Sequence, residues 1–149
     1  MKKIFYIFFI IFLSTNCLFA NQNNYYVILK NNKVNVRYGP GLNYPIKYIY
    51  KKKNLPVKVI DKKENFRRII DFKKNNGWIH TSQLSKIKSF ILLEDKTLFS
   101  KPTKYSKPIL IISKGRLLLV KKCKAKWCKV KTKKYIGWLE SKNVWGSIN

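Results

Sequence analysis

The feature that most constrains this chain is an internal repeat within its 149 residues. The stretch 34–46 aligns with 97–109 at an offset of 63 residues. The Gly-Trp-Ile run at 77–79 matches the Gly-Trp-Leu run at 137–139 at an offset of 60. A recurring pattern marks a recurring structural unit, and a shrinking offset indicates loops of different length on one scaffold. The repeat therefore predicts two copies of one small fold.

The repeat divides the chain into two units of about sixty residues, at 25–86 and 88–146. Each unit is close to the lower size at which a domain folds alone, because so small a chain buries only a modest share of its surface. We therefore expect the two units to pack against each other.

Apolar and polar residues alternate along short segments of both units. Val34 and Val36 alternate with polar neighbours, and Val57 and Val59 do the same, which is the period of half-buried antiparallel strands. Turn residues separate these segments, and the run 73–77 contains an Asn-Gly pair that tolerates positive φ. No segment after residue 20 sustains a period of 3.6. The pattern predicts an all-β chain of two tandem barrels with about five strands each.

The first twenty residues have the layout of a secretory signal peptide. Lys2 and Lys3 precede an unbroken apolar run of ten residues at 4–13, and Ala20 is a small residue suited to cleavage. The run is half the length of about twenty residues that a membrane span needs. We expect residues 1–20 to direct export to the periplasm or cell envelope; an uncleaved anchor is the alternative. Lipidation of Cys17 is not favoured, because Asn16 precedes it.

The chain is strongly basic, with 33 Lys and Arg against six acidic residues and a formal net charge of +27. Such a surface attracts anionic polymers and membrane faces. Lys, Asn and Ile are all abundant and are all encoded by A/T-rich codons. An A/T-rich genome is therefore an alternative explanation of the excess of basic residues, beside selection for an anionic partner. Export argues against nucleic acid as the partner, although the charge alone would suggest it.

The composition also leaves little material for catalysis. Six acidic residues and one His make a carboxylate pair, a calcium cage or a zinc centre improbable, and no nucleophile elbow or phosphate loop is present. The sequence predicts a protein that is not an enzyme and that holds no metal or cofactor.

The ordered motifs of both units resemble the bacterial SH3 domain family, in its secreted tandem form. The first unit carries V-N-V-R-x-G-P-G-x-x-Y-P-I, L-P-V-x-V-I, F-R-R-I and G-W-I-H, and the second carries K-C-K-A-K-W-C-K-V, Y-x-G-W-L and a closing W-G. The resemblance implies two five-stranded SH3-like barrels in an exported protein that binds cell wall or protein without catalysis. The chain departs from the family's pattern at Phe66, where Trp is common, and in its excess of Lys.

Two cysteines remain after the signal segment. Cys123 and Cys128 flank a four-residue run that reads as a hairpin tip, and residues opposite each other on paired strands are within disulfide reach. An exported compartment permits oxidation. We predict a Cys123–Cys128 disulfide, with two free thiols as the alternative.

Five aromatic residues are candidates for ligand contact. Three lie in the long loop after the first repeated strand of each unit, and two follow a Gly on a strand. They are Tyr38, Tyr44, Tyr105, Trp78 and Trp138. Aromatic rings can stack on a peptide or sugar face while a hydroxyl stays hydrated. For the two tryptophans, packing in the core is the competing interpretation.

The leading hypothesis is an exported non-catalytic protein that binds peptidoglycan or an envelope protein. Binding would combine an aromatic-lined loop groove with Lys-rich faces drawn to carboxylates or lipid phosphates, so an anionic membrane surface is a further candidate partner. The alternatives are a scaffolding subunit that uses an exposed barrel edge to pair with a partner protein, and a generic polyanion binder.

Overall fold

A computed structural model describes residues 24–132 and 134–147. The predicted signal segment 1–20 lies outside these residues. The described chain forms fourteen β-strands in two sheets of seven, with one turn of 3-10 helix at Thr81–Gln83. No helix in this part of the chain is long and apolar enough to cross a membrane. The predicted all-β class, with two repeated units in tandem, is confirmed.

The first sheet is built from the first repeat unit. Its strand order is β3-β2-β6-β5-β4-β1-β7, and every paired neighbour runs antiparallel. The strands are β1 (Tyr25–Leu29), β2 (Val34–Arg37), β3 (Ile46–Tyr50), β4 (Pro56–Lys63), β5 (Phe66–Ile70), β6 (Asn76–His80) and β7 (Leu84–Ser85).

The second sheet repeats this order as β10-β9-β13-β12-β11-β8-β14. The strands are β8 (Ser89–Leu92), β9 (Lys96–Phe99), β10 (Pro108–Ile112), β11 (Leu117–Lys124), β12 (Trp127–Lys131), β13 (Ile136–Glu140) and β14 (Val144–Gly146). Even the register shift in the long fourth strand recurs, between Val59 and Asp61 in the first sheet and between Val120 and Lys122 in the second.

Each sheet has seven strands where about five were predicted. The two additional strands are the first and the last along the chain in each domain. They pair with each other, β1 with β7 in the first domain and β8 with β14 in the second. Residues 27–29 of β1 are all buried, so this strand shows no alternation. The last strand is only two residues long in the first sheet and three in the second. Period-two patterning cannot detect either kind of strand.

The predicted alignment of the repeats is wrong by one residue in the long loop. Arg37 pairs with Ile46 as Phe99 pairs with Pro108, so the true offset in this segment is 62. Pro45 therefore corresponds to Lys107, because the carbonyl of each accepts the same loop-closing hydrogen bond. The offset of 60 between Gly77 and Gly137 is correct, because each lies one residue before the Trp that pairs with β2 or β9.

The core of each domain lies on the inward face of its sheet. Buried aliphatic residues from β1, β2, β4, β5 and β6 form one cluster, and those from β8 to β13 form most of another. Gly77 and Gly137 are buried because β6 and β13 run close beneath the neighbouring strand. A Cβ on Gly137 would lie 2.7 Å from both the Leu98 side chain and the Phe99 carbonyl oxygen.

The predicted turn at 73–77 is displaced toward the N-terminus. Asn76 and Gly77 belong to β6, and the residue with positive φ is Lys74, at 69°. The turn spans residues 71–75, and the buried Asp71 organises it by accepting hydrogen bonds from the backbone N–H groups of Lys73 and Asn75. The turn is thus stabilised by the Asp71 carboxylate, and not by the Asn-Gly pair that the sequence suggested.

The two domains pack together as expected from their size. The indole Nε1 of Trp145 in the second domain donates to the Pro56 carbonyl at 3.3 Å, and its ring meets Tyr26 edge-on at 5.5 Å. The hydroxyl of the buried Ser89 donates to the Asn54 carbonyl at 2.7 Å. Ile91 is buried within the first domain's hydrophobic cluster.

The predicted disulfide is confirmed. Cys123 and Cys128 are directly opposite on β11 and β12, their Cα atoms are 4.1 Å apart, and they are joined as a disulfide. The first domain has Lys62 opposite Arg67 at the equivalent place.

Replacing both cysteines with serine should lower the free energy of unfolding by about 2 kcal/mol, because the bond closes only a short loop in the unfolded chain. Chemical denaturation of the oxidised protein and the C123S/C128S variant measures the difference. A loss of about 5 kcal/mol or more would contradict the view that this bond clamps one hairpin and does not hold the whole domain together.

Candidate functional site

Three large side chains stand side by side on the outer face of the first sheet. Trp78 pairs with Arg37 across β2 and with Arg68 across β5, and directly opposed residues share a face. Gly77 and Ile79 are buried on the opposite face of β6, so the half-buried Trp78 points outward. The strand register therefore places Trp78 between two arginine residues on this face.

The long loop between β2 and β3 supplies one wall beside this row. Tyr38 is 63% exposed, and the Lys47 ammonium lies 5.6 Å from the centre of its ring. Lys47 also donates to the Asn76 carbonyl at 3.1 Å, which ties the loop side to β6. Together with Arg37, Arg68 and Trp78 these residues line a groove of about 270 Å³. We call it the Trp78 groove.

The Tyr44 ring packs against two glycines of the loop between β2 and β3. Its ring covers Gly39 and Gly41, and a Cβ on Gly39 would collide with that ring. The Arg37 guanidinium donates to the Tyr44 carbonyl at 2.6 Å, which orients the arginine. Tyr44 therefore acts on the groove through its backbone and through the shape of the loop.

The other two predicted residues lie in the second domain. Tyr105 is 99% exposed in the loop between β9 and β10, where its structural equivalent in the first domain is Asn43. Trp138 is half-buried on β13, opposite Phe99 and Lys129, with the Lys122 ammonium 5.8 Å from its ring. The structure thus brings Tyr38 and Trp78 together and leaves Tyr105 and Trp138 elsewhere.

Sequence reasoning missed the cations of the Trp78 groove. The five residues predicted from the sequence to contact a ligand are all aromatic, and they include neither Arg37, Arg68 nor Lys47. The register of three strands is needed to see that both arginines lie beside Trp78. The signal in the sequence was their Arg identity, since only four of the 33 basic residues are Arg.

A hollow of mixed charge lies on the second domain near the end of β13. Glu140 lies at the position equivalent to His80 and forms ion pairs with Lys104 at 3.6 Å and Lys126 at 3.5 Å. Here Lys96, Lys104, Phe99 and other residues line a hollow of about 280 Å³ that contains acidic as well as basic groups. None of the described residues that line the Trp78 groove is acidic, whereas Asp95 and Glu140 line this hollow. The nearest acidic residue on the strand register is Asp61, which lies opposite Arg68 across β4 and β5.

His80 forms hydrogen bonds at the end of β6. Its Nδ1 lies 2.8 Å from the Ser82 hydroxyl and accepts from the Ser82 backbone N–H at 3.3 Å. Its ring also meets Phe66 edge-on at 5.1 Å. Within the described residues, no group of three or more His, Cys, Asp or Glu side chains is arranged to hold a metal ion.

Comparison with known proteins identifies the repeated unit. The family model described as "Bacterial SH3 domain" matches residues 30–86 and again 95–146. A search of curated proteins finds no match.

Among solved structures, the chain is similar to NlpC2 from Trichomonas vaginalis, with 15% identity and a TM-score of 0.38, over 83% of this chain and 48% of that one. It is also similar to NlpC1 from the same organism, with 14% identity and a TM-score of 0.38, over 84% of this chain and 46% of that one. The chain thus spans about half the length of these proteins. On the strength of its two matched segments, the chain belongs to the bacterial SH3 domain family and carries the domain twice.

Proposed function

We propose that this protein is an exported, non-catalytic binding protein that engages peptidoglycan through the Trp78 groove. The observation that carries the proposal is the row of Arg37, Trp78 and Arg68 on one outer sheet face. Membership of the bacterial SH3 domain family, whose members bind the cell wall or proteins, supports the same class of function.

The chemistry of the groove suits a ligand that combines sugar or peptide faces with carboxylates. An indole ring and a phenol ring offer flat surfaces for stacking. A guanidinium group binds a carboxylate through two parallel hydrogen bonds, which fixes its orientation better than an ammonium does. Peptidoglycan stem peptides carry such carboxylates next to sugars, so the polymer matches both parts of the groove.

The net charge of the chain supports the same proposal at longer range. A formal charge of +27 draws the protein toward an anionic polymer, and the attraction weakens as salt shortens the Debye length. Charge alone does not select one polymer over another. We therefore assign selectivity to the Trp78 groove and general attraction to the Lys-rich surface.

Removal of the two groove arginines should weaken binding to purified cell-wall sacculi by about tenfold, because each paired carboxylate contributes roughly 1 kcal/mol or less at a partly exposed site. The R37Q/R68Q variant is compared with K52Q/K53Q, which removes the same charge from two exposed lysines in the loop after β3. Co-sedimentation is measured at low salt and at about 0.5 M salt, where surface attraction is largely screened.

Equal losses in both variants would overturn the groove proposal and favour a generic polyanion binder. Absence of sedimentation at low salt would overturn peptidoglycan as the ligand. Retention of the wild-type protein at high salt, with loss in R37Q/R68Q and in Trp78→Leu, is the expected result.

A further inference from the structure

The second domain has an open apolar groove at a place that the first domain fills. The groove has a volume of about 440 Å³ and lies between β10, β11 and the turn before β13. Leu110, Ile112, Leu117 and Leu118 form much of its lining. We call it the β10 groove. It lies in the other domain from the Trp78 groove and shares no lining residue with it.

The equivalent positions of the first domain carry a hydrogen-bonded plug. Tyr48 and Tyr50 stand on β3 where Leu110 and Ile112 stand on β10, as the pairing with the neighbouring strand shows. The Tyr50 hydroxyl donates to the buried Asp71 carboxylate at 2.9 Å and lies 3.4 Å from the Tyr48 hydroxyl. These long polar side chains tie the end strand β3 to the turn.

The second domain lacks this connection. Thr132 occupies the position equivalent to Asp71. The backbone N–H of Asp71 donates to the Asn75 carbonyl, and the backbone N–H of Thr132 donates to the Tyr135 carbonyl at the same place in the second domain. Leu110 and Ile112 have no polar group that could reach Thr132. The same backbone thus surrounds an open apolar space, since two tyrosines have become shorter aliphatic residues.

Large apolar side chains are exposed at the mouth of the β10 groove. Of its lining residues, Ile111 is 70% exposed and Tyr135 is 48% exposed. Exposed apolar residues clustered around a groove are typical of an interaction surface. In addition, β10 is the end strand of its sheet in the described chain, so part of its backbone is available to another strand.

Charge identifies the kind of partner. Arg116 and Lys134 line the β10 groove, and none of its described lining residues is acidic. A second copy of this chain would bring another formal charge of +27 to a basic rim, which opposes self-association. An acidic partner with apolar side chains meets both the rim and the floor of the groove.

We propose that β10 binds an extended, acidic and apolar segment of a partner protein, which adds as a strand to the end of the second sheet. Backbone hydrogen bonds to β10 provide the frame of the complex, and the groove accepts an apolar side chain of the segment. The acidic side chains of the segment face Arg116 and Lys134.

A peptide of alternating leucine and glutamate, about six residues long like a typical strand, tests the proposal. Its fluorescein-labelled form is titrated with the full protein by fluorescence anisotropy, beside a peptide of alternating serine and glutamate with the same charge. The leucine peptide should bind at least tenfold more tightly. Equal affinity of the two peptides would overturn the proposal, because charge alone would then explain binding.

Ile111→Glu should weaken binding of the leucine peptide at least tenfold. Ile49→Glu is the matched control, since Ile49 occupies the equivalent position on β3 and is also exposed, at 40%. A second variant, L110Y/I112Y/T132D, transfers the plug of the first domain and should abolish the difference between the two peptides while the fold, followed by circular dichroism, is retained. Equal effects of Ile111→Glu and Ile49→Glu would overturn the proposal.

Other occupants of the β10 groove give different results. A dimer in light scattering that Ile111→Glu dissolves would replace the partner segment by a second copy. Flotation with phosphatidylglycerol vesicles that depends on Ile111, without peptide binding, would replace it by a membrane surface. This test is independent of the proposed peptidoglycan binding, which concerns the Trp78 groove. The R37Q/R68Q variant should bind the leucine peptide like the wild type, even if neither protein binds sacculi.

Discussion

Replacing Asp71 with alanine is expected to lower the free energy of unfolding by about 4 kcal/mol, which is a large part of the stability of a small domain. Asp71 is only 2% exposed, and its carboxylate accepts hydrogen bonds from the Tyr50 hydroxyl, two backbone N–H groups and the Asn75 side chain. The substitution leaves these donors without their acceptor. Each unsatisfied donor that stays buried costs about 1–3 kcal/mol.

Thr132→Ala is the matched control in the second domain. The Thr132 hydroxyl makes two exposed hydrogen bonds: it accepts from the Tyr135 backbone N–H at 3.0 Å and donates to the Tyr135 carbonyl at 3.3 Å. The buried Asp71 carboxylate accepts four. We expect a loss of about 1 kcal/mol for Thr132→Ala, because groups that stay exposed can hydrogen-bond to water instead. Chemical denaturation followed by circular dichroism measures both. Similar losses in the two variants would contradict a special role of the Asp71 network.

The pH dependence of stability provides a second readout of the same substitution. Burial, the Tyr48 hydroxyl and the Asp71 carboxylate all raise the pKa of Tyr50 well above its ordinary value of 10.0. Tyr50 therefore keeps its proton in the folded state at a pH where the unfolded chain releases it. The resulting stability is present below pH 10 and is lost as the pH rises above 10. D71A removes one cause of the raised pKa, so its stability should fall less steeply in alkali.

The sequence was informative where a feature depends on nearby residues. Alternation at Val34 and Val36 identified a strand because the pleat itself has a period of two. The Cys123–Cys128 pairing was foreseeable because a hairpin brings close positions face to face. The two domains were foreseeable because the same motifs recur in the same order.

Features that depend on strand register were not foreseeable. Pro45 and Pro108 seemed to mark equivalent positions, yet Pro108 begins β10 and Pro45 belongs to the loop. The Trp78 groove needed the pairing of three strands before Arg37 and Arg68 could be seen beside the indole. Contacts between residues far apart in sequence decide these positions, and period and turn chemistry do not encode them.

The contrast between the two domains was hidden for the same reason. Asp71 and Tyr50 are 21 residues apart, and nothing local indicates that they meet. Once they do, the first domain closes a space that the second domain leaves open. Duplication of one fold thus left two different surfaces, which fits a protein with one ligand groove and a separate place for a partner.

The contact between the domains leads to the other prediction with a large expected effect. Trp145 lies on β14, the last strand of the second sheet, at the position where the first domain has Ser85. Its indole donates to Pro56 and packs on Tyr26, and the Lys74 ammonium lies 5.9 Å from its ring. Burial at this contact raises the pKa of Tyr26. One side chain therefore carries much of the connection.

Trp145→Ala is expected to lower the free energy of unfolding by about 3 kcal/mol and to split a single thermal transition into two. Removing a buried aromatic ring costs about 3–5 kcal/mol, and the half-buried state of Trp145 places it at the lower end. Domains of this size that lose their shared surface unfold independently, because each then depends on its own small core. Differential scanning calorimetry of the full protein measures both effects.

Trp145→Phe separates packing from hydrogen bonding. It keeps an aromatic ring against Tyr26 but loses the indole N–H and the second ring of the indole, so the loss should be about 1–2 kcal/mol with one transition retained. A single transition in Trp145→Ala at the wild-type midpoint would mean that Ser89 and Ile91 suffice to join the domains. Two transitions would instead show that a tryptophan near the end of the chain makes two small folds behave as one, as their size requires.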